Sequence, residues 1–224
     1  MDKLILFDID GTLTKGRGHP EAFRHGLKAV YGVDGEQPPK GNPGWTDQLI
    51  ILDVLKRKGL SRKEILAKMQ DCMDEMARYY DANIGKRNVE AYEGARELLE
   101  ELRARGFMLG LVTGNVERIA YTKLGKVGLA EFFSLGGFGS DHTERSELVS
   151  IAIRRAQEKG FEPDGSNVFV VGDTAKDIEA GREARARTIA VFSGHNTRKE
   201  LEDSRPDYFL EHLTEKQRFL EIVG

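Results

Sequence analysis

The sequence predicts an α/β protein: a doubly wound parallel sheet interrupted, just after its first strand, by a small all-helical segment. Three observations point there. The run Leu4-Ile5-Leu6-Phe7 is uniformly apolar, as a strand buried on both faces of a parallel sheet must be. From about residue 88 onward, short apolar runs alternate with helical patterns, which implies right-handed crossovers with helices on both sheet faces. Residues 16–87, in contrast, show helical spacing and no convincing strand. The expected division is a core of 1–15 and 88–224 with an insert over 16–87.

Composition fits this reading. A chain of 224 residues, 39% hydrophobic and 32% charged, suits a soluble globule with one large domain and a smaller insert. The formal charge of -3, with Lys and Arg scattered, gives no reason to expect nucleic acid. A single cysteine, Cys72, excludes an intrachain disulfide and suits a reducing compartment. No apolar run approaches the roughly 18 residues of a membrane span, and no leader precedes the first strand. A cytoplasmic location is expected, with no membrane partner.

In the insert, Phe23, Leu27, Val30 and Tyr31 line one face of a first helix. A Pro- and Gly-rich loop over 35–44 follows, then a second helix from Asp47 to Lys58. A third opens with the capping box Ser61-x-x-Glu64 and carries Ile65, Met69, Cys72, Met73, Met76 and Tyr80 at helical spacing. This Met-rich stripe reads as helix-packing core. Helix 94–105 then leads to strand 107–112, and helix 117–127 leads to a short strand over 132–138. Helix 144–159, strand 168–171, helix 175–185 and strand 188–192 continue the alternation. Short helices close the chain, the last one capped by Thr214-x-x-Gln217.

The chemistry gathers at strand ends. Asp8 and Asp10 follow the first strand two residues apart, so their side chains should lie close together. Like charges so placed need a counter-charge, for which a divalent cation is suited. Thr113-Gly114-Asn115 ends another strand just before a helix, where a hydroxyl and backbone N–H groups make a small anion site. Gly172-Asp173-Thr174-Ala175-Lys176-Asp177 sets one carboxylate at a strand end and another in the following helical turn. Arg145 opens a helix after the glycine-rich stretch 136–140. Each motif alone also has a plain structural reading. Asp-x-Asp-Gly and Thr-Gly-Asn are ordinary turn chemistry, and Asp173 and Asp177 suit a helix N-cap and first turn. Together they differ, because a parallel sheet brings its strand C-termini to one edge, where ligands bind. Oxygen-only ligation suits Mg²⁺ rather than zinc, and the five histidines show no ligand spacing. Phosphate is the natural anionic substrate group beside such an ion and a guanidinium.

The order DxDGTLT, strand-Thr-Gly-Asn, a basic residue, then Gly-Asp-x-x-x-Asp resembles the haloacid dehalogenase (HAD) superfamily of phosphohydrolases, and within it the phosphoglycolate phosphatase-like members. The resemblance implies a Rossmann-like core with a helical C1 cap. It also implies a Mg²⁺-dependent phosphatase acting on a small phosphorylated metabolite, 2-phosphoglycolate first. In that reading Asp8 is the nucleophile and Asp10 the general acid and base, with a backbone carbonyl on the metal. Asp173 ligates the metal and Asp177 supports it or orients Arg145. Thr113, Gly114, Asn115 and Arg145 hold the transferred group, while Gly11 and Thr12 form the turn that lets the cap move. The third motif is usually lysine in relatives, so Lys123 and Lys126 are alternatives to Arg145. Lys40, Asn42, Trp45 and Thr46 are candidates to reach the substrate, although Trp45 also suits a loop anchor. A sugar-phosphate phosphomutase is the alternative activity. A metal-independent dehalogenase is disfavoured by Asp10 and the acidic set, and their presence equally disfavours a non-catalytic binding protein. The chain is expected to be a monomer or homodimer.

Overall fold

The structure, a computed structural model, describes residues 2–16, 18–35, 44–192 and 197–224. Strand β1 (Leu4–Phe7) sits in the middle of a six-stranded sheet. Its partners are β4 (Met108–Thr113) and β6 (Val168–Gly172), both parallel, with Phe7 level with Leu111 and Val171. Outside them lie β5 (Gly136–Phe138) on one flank and β7 (Arg187–Val191) then β8 (Tyr208–Leu210) on the other. All five pairings are parallel, so every strand C-terminus faces one edge.

Alternation along β1 shows why its apolar run is continuous. Ile5 and Phe7 join a core with helices α5 (Ala95–Ala104), α6 (Glu117–Lys126) and α10 (Lys216–Val223). Leu4 and Leu6 face the opposite core, with α7 (Arg145–Gln157) and α8 (Ala175–Glu183). Both faces are covered, as a parallel sheet requires. α9 (Arg198–Asp203) lies between β7 and β8 in sequence.

Between β1 and α5 the described residues form four α-helices: α1 (Pro20–Tyr31), α2 (Asp47–Arg57), α3 (Arg62–Ala67) and α4 (Met69–Asn83). They bury Phe23, Leu27, Ile51, Leu55, Met73 and Met76 in a second core, which Val116 and Ile119 at the start of α6 also join, and the Met stripe is packing surface. A two-stranded antiparallel ribbon, β2 (Thr14–Lys15) with β3 (Glu90–Ala91), ties the two crossings at the base of this helical unit.

Several expectations need correction. The helix read from Ser61 to Tyr80 is two helices divided at Lys68, whose φ of -125° leaves the helical range. The capping box that opens it does form, with Ser61 and Glu64 bonded reciprocally. The strand read over 132–138 is shorter, because 130–132 form a 3₁₀ turn and only Gly136–Phe138 pair. Tyr208–Leu210 is a sheet strand where only helices were expected. Thr214 and Gln217 form no capping box: Glu215 precedes α10, and its carboxylate accepts from the Glu211 and His212 N–H groups instead.

Candidate active site

The strand ends place the acidic residues. Asp8 follows β1 directly, and its N–H donates to the Val171 carbonyl at 2.9 Å, which carries the register one residue past the strand. Asp173 follows β6 in the same way, and Asp177 comes one helical turn later in α8. One oxygen from each of Asp8, Asp173 and Asp177 lies within 4.8 Å of the others, and all three residues are buried. Thr174, not Asp173, is the N-cap of α8; its N–H and hydroxyl donate to Asp177 Oδ2 at 3.0 and 2.6 Å. That box fixes the Asp177 rotamer and leaves Oδ1 for Arg145. The Thr12 hydroxyl donates to Asp173 Oδ1 at 3.4 Å. Gly11, at φ +96°, turns the chain beneath Asp173, where a side chain has neither a suitable backbone nor room.

Arg145, first residue of α7, answers these carboxylates. Its Nη2 lies 2.6 Å from Asp8 Oδ1 and 2.5 Å from Asp177 Oδ1. Of the cations considered for the third motif, Arg145 is the one that meets Asp8. Lys126 instead donates to the carbonyls of Ile84 and Arg87. Lys123 goes to Asp10: its ammonium lies 2.6 Å from Asp10 Oδ2 and 2.8 Å from Asn115 Oδ1. Asn115 Nδ2 donates to the same Asp10 oxygen at 2.8 Å and to the Thr113 hydroxyl oxygen at 2.7 Å. The side chain of Asp10 is therefore outside the acidic trio, joined instead to Thr113 and Asn115.

The segment leading into α2 closes over this edge. Arg145 Nη1 donates to the Gly44 carbonyl at 3.3 Å, and the Asp47 N–H donates to the Gly114 carbonyl at 2.8 Å. Asp47 Oδ2 accepts from the Val116 N–H at 2.9 Å and lies 3.0 Å from Nε2 of the buried His19. The Thr46 hydroxyl accepts from the Leu49 N–H as the N-cap of α2 and donates to the Thr143 carbonyl. Thr46 is thus committed to structure, and Trp45 packs against the helical core, the anchoring alternative. Lys40 and Asn42 lie outside the described residues. Asp47, His19 and the pairing of Lys123 were missed by sequence reasoning. A lysine on the apolar Ile119, Ala120, Leu124 face of α6 was the available signal.

Against known proteins, the profile of the haloacid dehalogenase-like hydrolases matches residues 3–185. The chain belongs to that family. It is 27% identical over 216 residues to a phosphoglycolate phosphatase of Synechococcus elongatus, covering 92% of each chain. It is 29% identical to an N-acetylmuramic acid 6-phosphate phosphatase of Pseudomonas aeruginosa, covering 86% of this chain and 83% of the other. Among solved structures, one from Haemophilus somnus described as a predicted phosphoglycolate phosphatase superposes with a TM-score of 0.70 at 22% identity, over 97% of both chains.

The electrostatics of this HAD-like hydrolase fit a hard cation. Three buried carboxylates lie together, and the Arg145 guanidinium pairs with two of them, Asp8 and Asp177. Burial pushes the Asp8 carboxyl well above its ordinary range; Arg145 pulls it down, while Asp177, Asp173 and Asp10 push it up again. Burial draws the Arg145 guanidinium down, but Asp177 and Asp8 outweigh it and hold it charged. Asp10 is the contrast. Burial raises its carboxyl, but the Lys123 ammonium and the bonds from Lys123 and Asn115 bring it below its ordinary value. A buried trio of carboxylates offering only oxygen is the donor set of a divalent hard ion, so the cluster could hold a metal. Among the described residues no helix is long and apolar enough to cross a membrane.

Proposed function

We propose that this hydrolase is a Mg²⁺-dependent phosphomonoesterase that works through an aspartyl-phosphate on Asp8, with 2-phosphoglycolate the first candidate among small phosphorylated metabolites. The observation that carries this reading is the meeting of Asp8, Asp173 and Asp177 around Arg145 at the sheet edge, with Asp10 held separately beside Thr113. The phosphoglycolate and N-acetylmuramic acid 6-phosphate phosphatases among its relatives support the substrate class.

Asp8 is the nucleophile. Its carboxylate oxygen attacks phosphorus in line, and the Asp8–phosphorus bond forms as the bond to the leaving oxygen breaks. Asp10, in its protonated form, gives a proton to that oxygen and later takes one from the water that attacks the phosphoenzyme, releasing orthophosphate and restoring Asp8. The Thr113 hydroxyl oxygen accepts from the Asn115 N–H and side-chain amide, so its own proton is available to a phosphoryl oxygen, beside the Gly114 N–H. Arg145 holds the nucleophile and is within reach of the same group. Asp8 and Asp173, with Asp177 behind them, would hold Mg²⁺, which when bound supplies charge neutralisation. The helical unit, residues 16–87, acts as a cap that admits one water at the right stage, and the Gly44–Asp47 segment is its contact with the core.

Orthophosphate release from a panel of phosphorylated metabolites, with and without Mg²⁺, tests the reading. Activity should need the metal, and Asp8→Asn should abolish turnover while the protein stays folded. Full activity of Asp8→Asn removes the nucleophile. Interconversion of sugar 1- and 6-phosphates without net orthophosphate would make the enzyme a phosphomutase.

A further inference from the structure

Among the described residues two buried cations, Arg145 and Lys123, meet the acidic residues of this site, and of the two Arg145 is the one on the nucleophile. Arg145 is bound to Asp8 and Asp177. Lys123 has a side chain only 2% exposed, and its ammonium contacts Asp10 Oδ2 and Asn115 Oδ1. An ammonium is strongly hydrated and expensive to bury, so its placement asks for a reason.

Its route is set by α6. Helical side chains lean toward the N-terminus of their helix, so Lys123, in the second turn, runs back along α6 to the strand end that precedes it. There it closes a ring of contacts. Lys123 bonds Asp10 and Asn115, Asn115 bonds Asp10 and Thr113, and each distance is 2.6–2.8 Å. Both donors take the same Asp10 oxygen, Oδ2. The other, Oδ1, is buried and has no hydrogen-bond partner among the described residues. Without Lys123, Asp10 would keep one anchor, the Asn115 amide, and its χ angles would be free to swing.

We propose that Lys123 is a positioning residue for Asp10: with Asn115 it pins Oδ2, fixes the carboxylate against the Thr113 anion site, and leaves Oδ1 as the oxygen that exchanges protons with the leaving group and with water. The inference rests on the phosphatase reading above. It divides the work between the cations, Arg145 serving bond formation at Asp8 and Lys123 serving proton traffic at Asp10. A basic residue outside the usual third-motif position would then limit how well the enzyme expels poor leaving groups.

The test is a leaving-group series, from p-nitrophenyl phosphate through phenyl phosphate to an alkyl phosphate. It is run on the parent, Lys123→Met, Lys123→Arg and Asp8→Asn at saturating Mg²⁺, with Tm measured for each. A carboxylate displaced by about 1 Å loses on the order of 100-fold in rate. Lys123→Met should therefore lose about that in kcat on the alkyl phosphate, much less on p-nitrophenyl phosphate, and little in KM. Lys123→Arg should recover most of the loss, because its guanidinium can donate to the same two oxygens. A kcat for Lys123→Met near the parent's on every substrate overturns the proposal. So does a raised KM with kcat kept, which would place Lys123 on the phosphoryl group. An equal loss across the series with a lowered Tm makes the lysine structural. Should Lys123→Met fail to fold, Lys123→Gln decides, since it donates one hydrogen bond without charge and must still show the leaving-group gradient. Asp8→Asn separates the two levels: its full activity sinks the phosphatase reading, whereas an inactive Asp8→Asn beside a flat Lys123→Met series sinks only the role of Lys123.

Discussion

A Cβ placed on Gly11 would fall 2.1 Å from Asp173 Oδ2. The backbone of one strand's exit loop is thus the floor on which the carboxylate of another rests. Gly11→Ala should act twice. At a φ of +96° the alanine adds about 1–2 kcal/mol of backbone strain, lowering Tm. Asp173 must also move, which would weaken the proposed metal site. We expect a Mg²⁺ requirement shifted to higher concentration and kcat/KM down on the order of 100-fold. A Mg²⁺ titration of activity matching the parent's would show that Asp173 can move without consequence.

Mg²⁺ binding should release a proton. Burial raises the Asp8 carboxyl above its ordinary 3.8. Between that value and the raised one, the metal-free folded protein holds a proton that the unfolded chain has lost, so its stability falls as pH rises through the window. The metal needs the ionised form, and its stabilising effect must therefore grow with pH over the same window. Tm with and without Mg²⁺ from about pH 4 to 8, and calorimetry in buffers of different ionisation enthalpy, measure this. A Mg²⁺-induced Tm shift independent of pH would mean that Asp8 is already ionised in the free protein.

Asp47 fastens the helical unit to the Thr113-Gly114-Asn115 turn. Asp47→Ala leaves the buried Val116 N–H without its acceptor, which costs about 1–3 kcal/mol. We also expect kcat to fall about tenfold as the Gly44–Asp47 segment loosens over the site. Asp47→Asn, which keeps an acceptor oxygen, should show less than half of each effect. Thermal melts and steady-state kinetics on the three proteins check both.

Much of this site was legible before any coordinates, for a geometrical reason. Asp8, Thr113 and Asp173 each end an apolar run, and a parallel sheet has only one edge to which such ends go. Arg145 was legible only by its place in the order of motifs. What the pattern could not give was pairing. Lys123 and Arg145 are both basic residues on helices, and only the direction of α6 and α7 decides that one meets Asp10 and the other Asp8. The misses in the fold have similar causes. No Gly or Pro marks the break at Lys68, and the three residues Tyr208–Leu210, of which only Leu210 is fully buried, are too short a run to announce a strand. Thr214-x-x-Gln217 has the letters of a cap, but the Thr214 hydroxyl is turned to His212 Nδ1 and away from the helix.

The central seat of β1 has a consequence for how the protein is made. Leu4 is neighbour to Met108 on one side and Val168 on the other, so the ribosome must add 164 residues after Leu4 before its second neighbour exists. At cellular elongation rates that is roughly 8–30 s during which an apolar tetrapeptide waits with an open edge. The helices between β1 and β4 are complete long before then and can gather around Phe23 and Met76 while translation continues. The polypeptide should therefore emerge with its helical unit assembled first and its central sheet last.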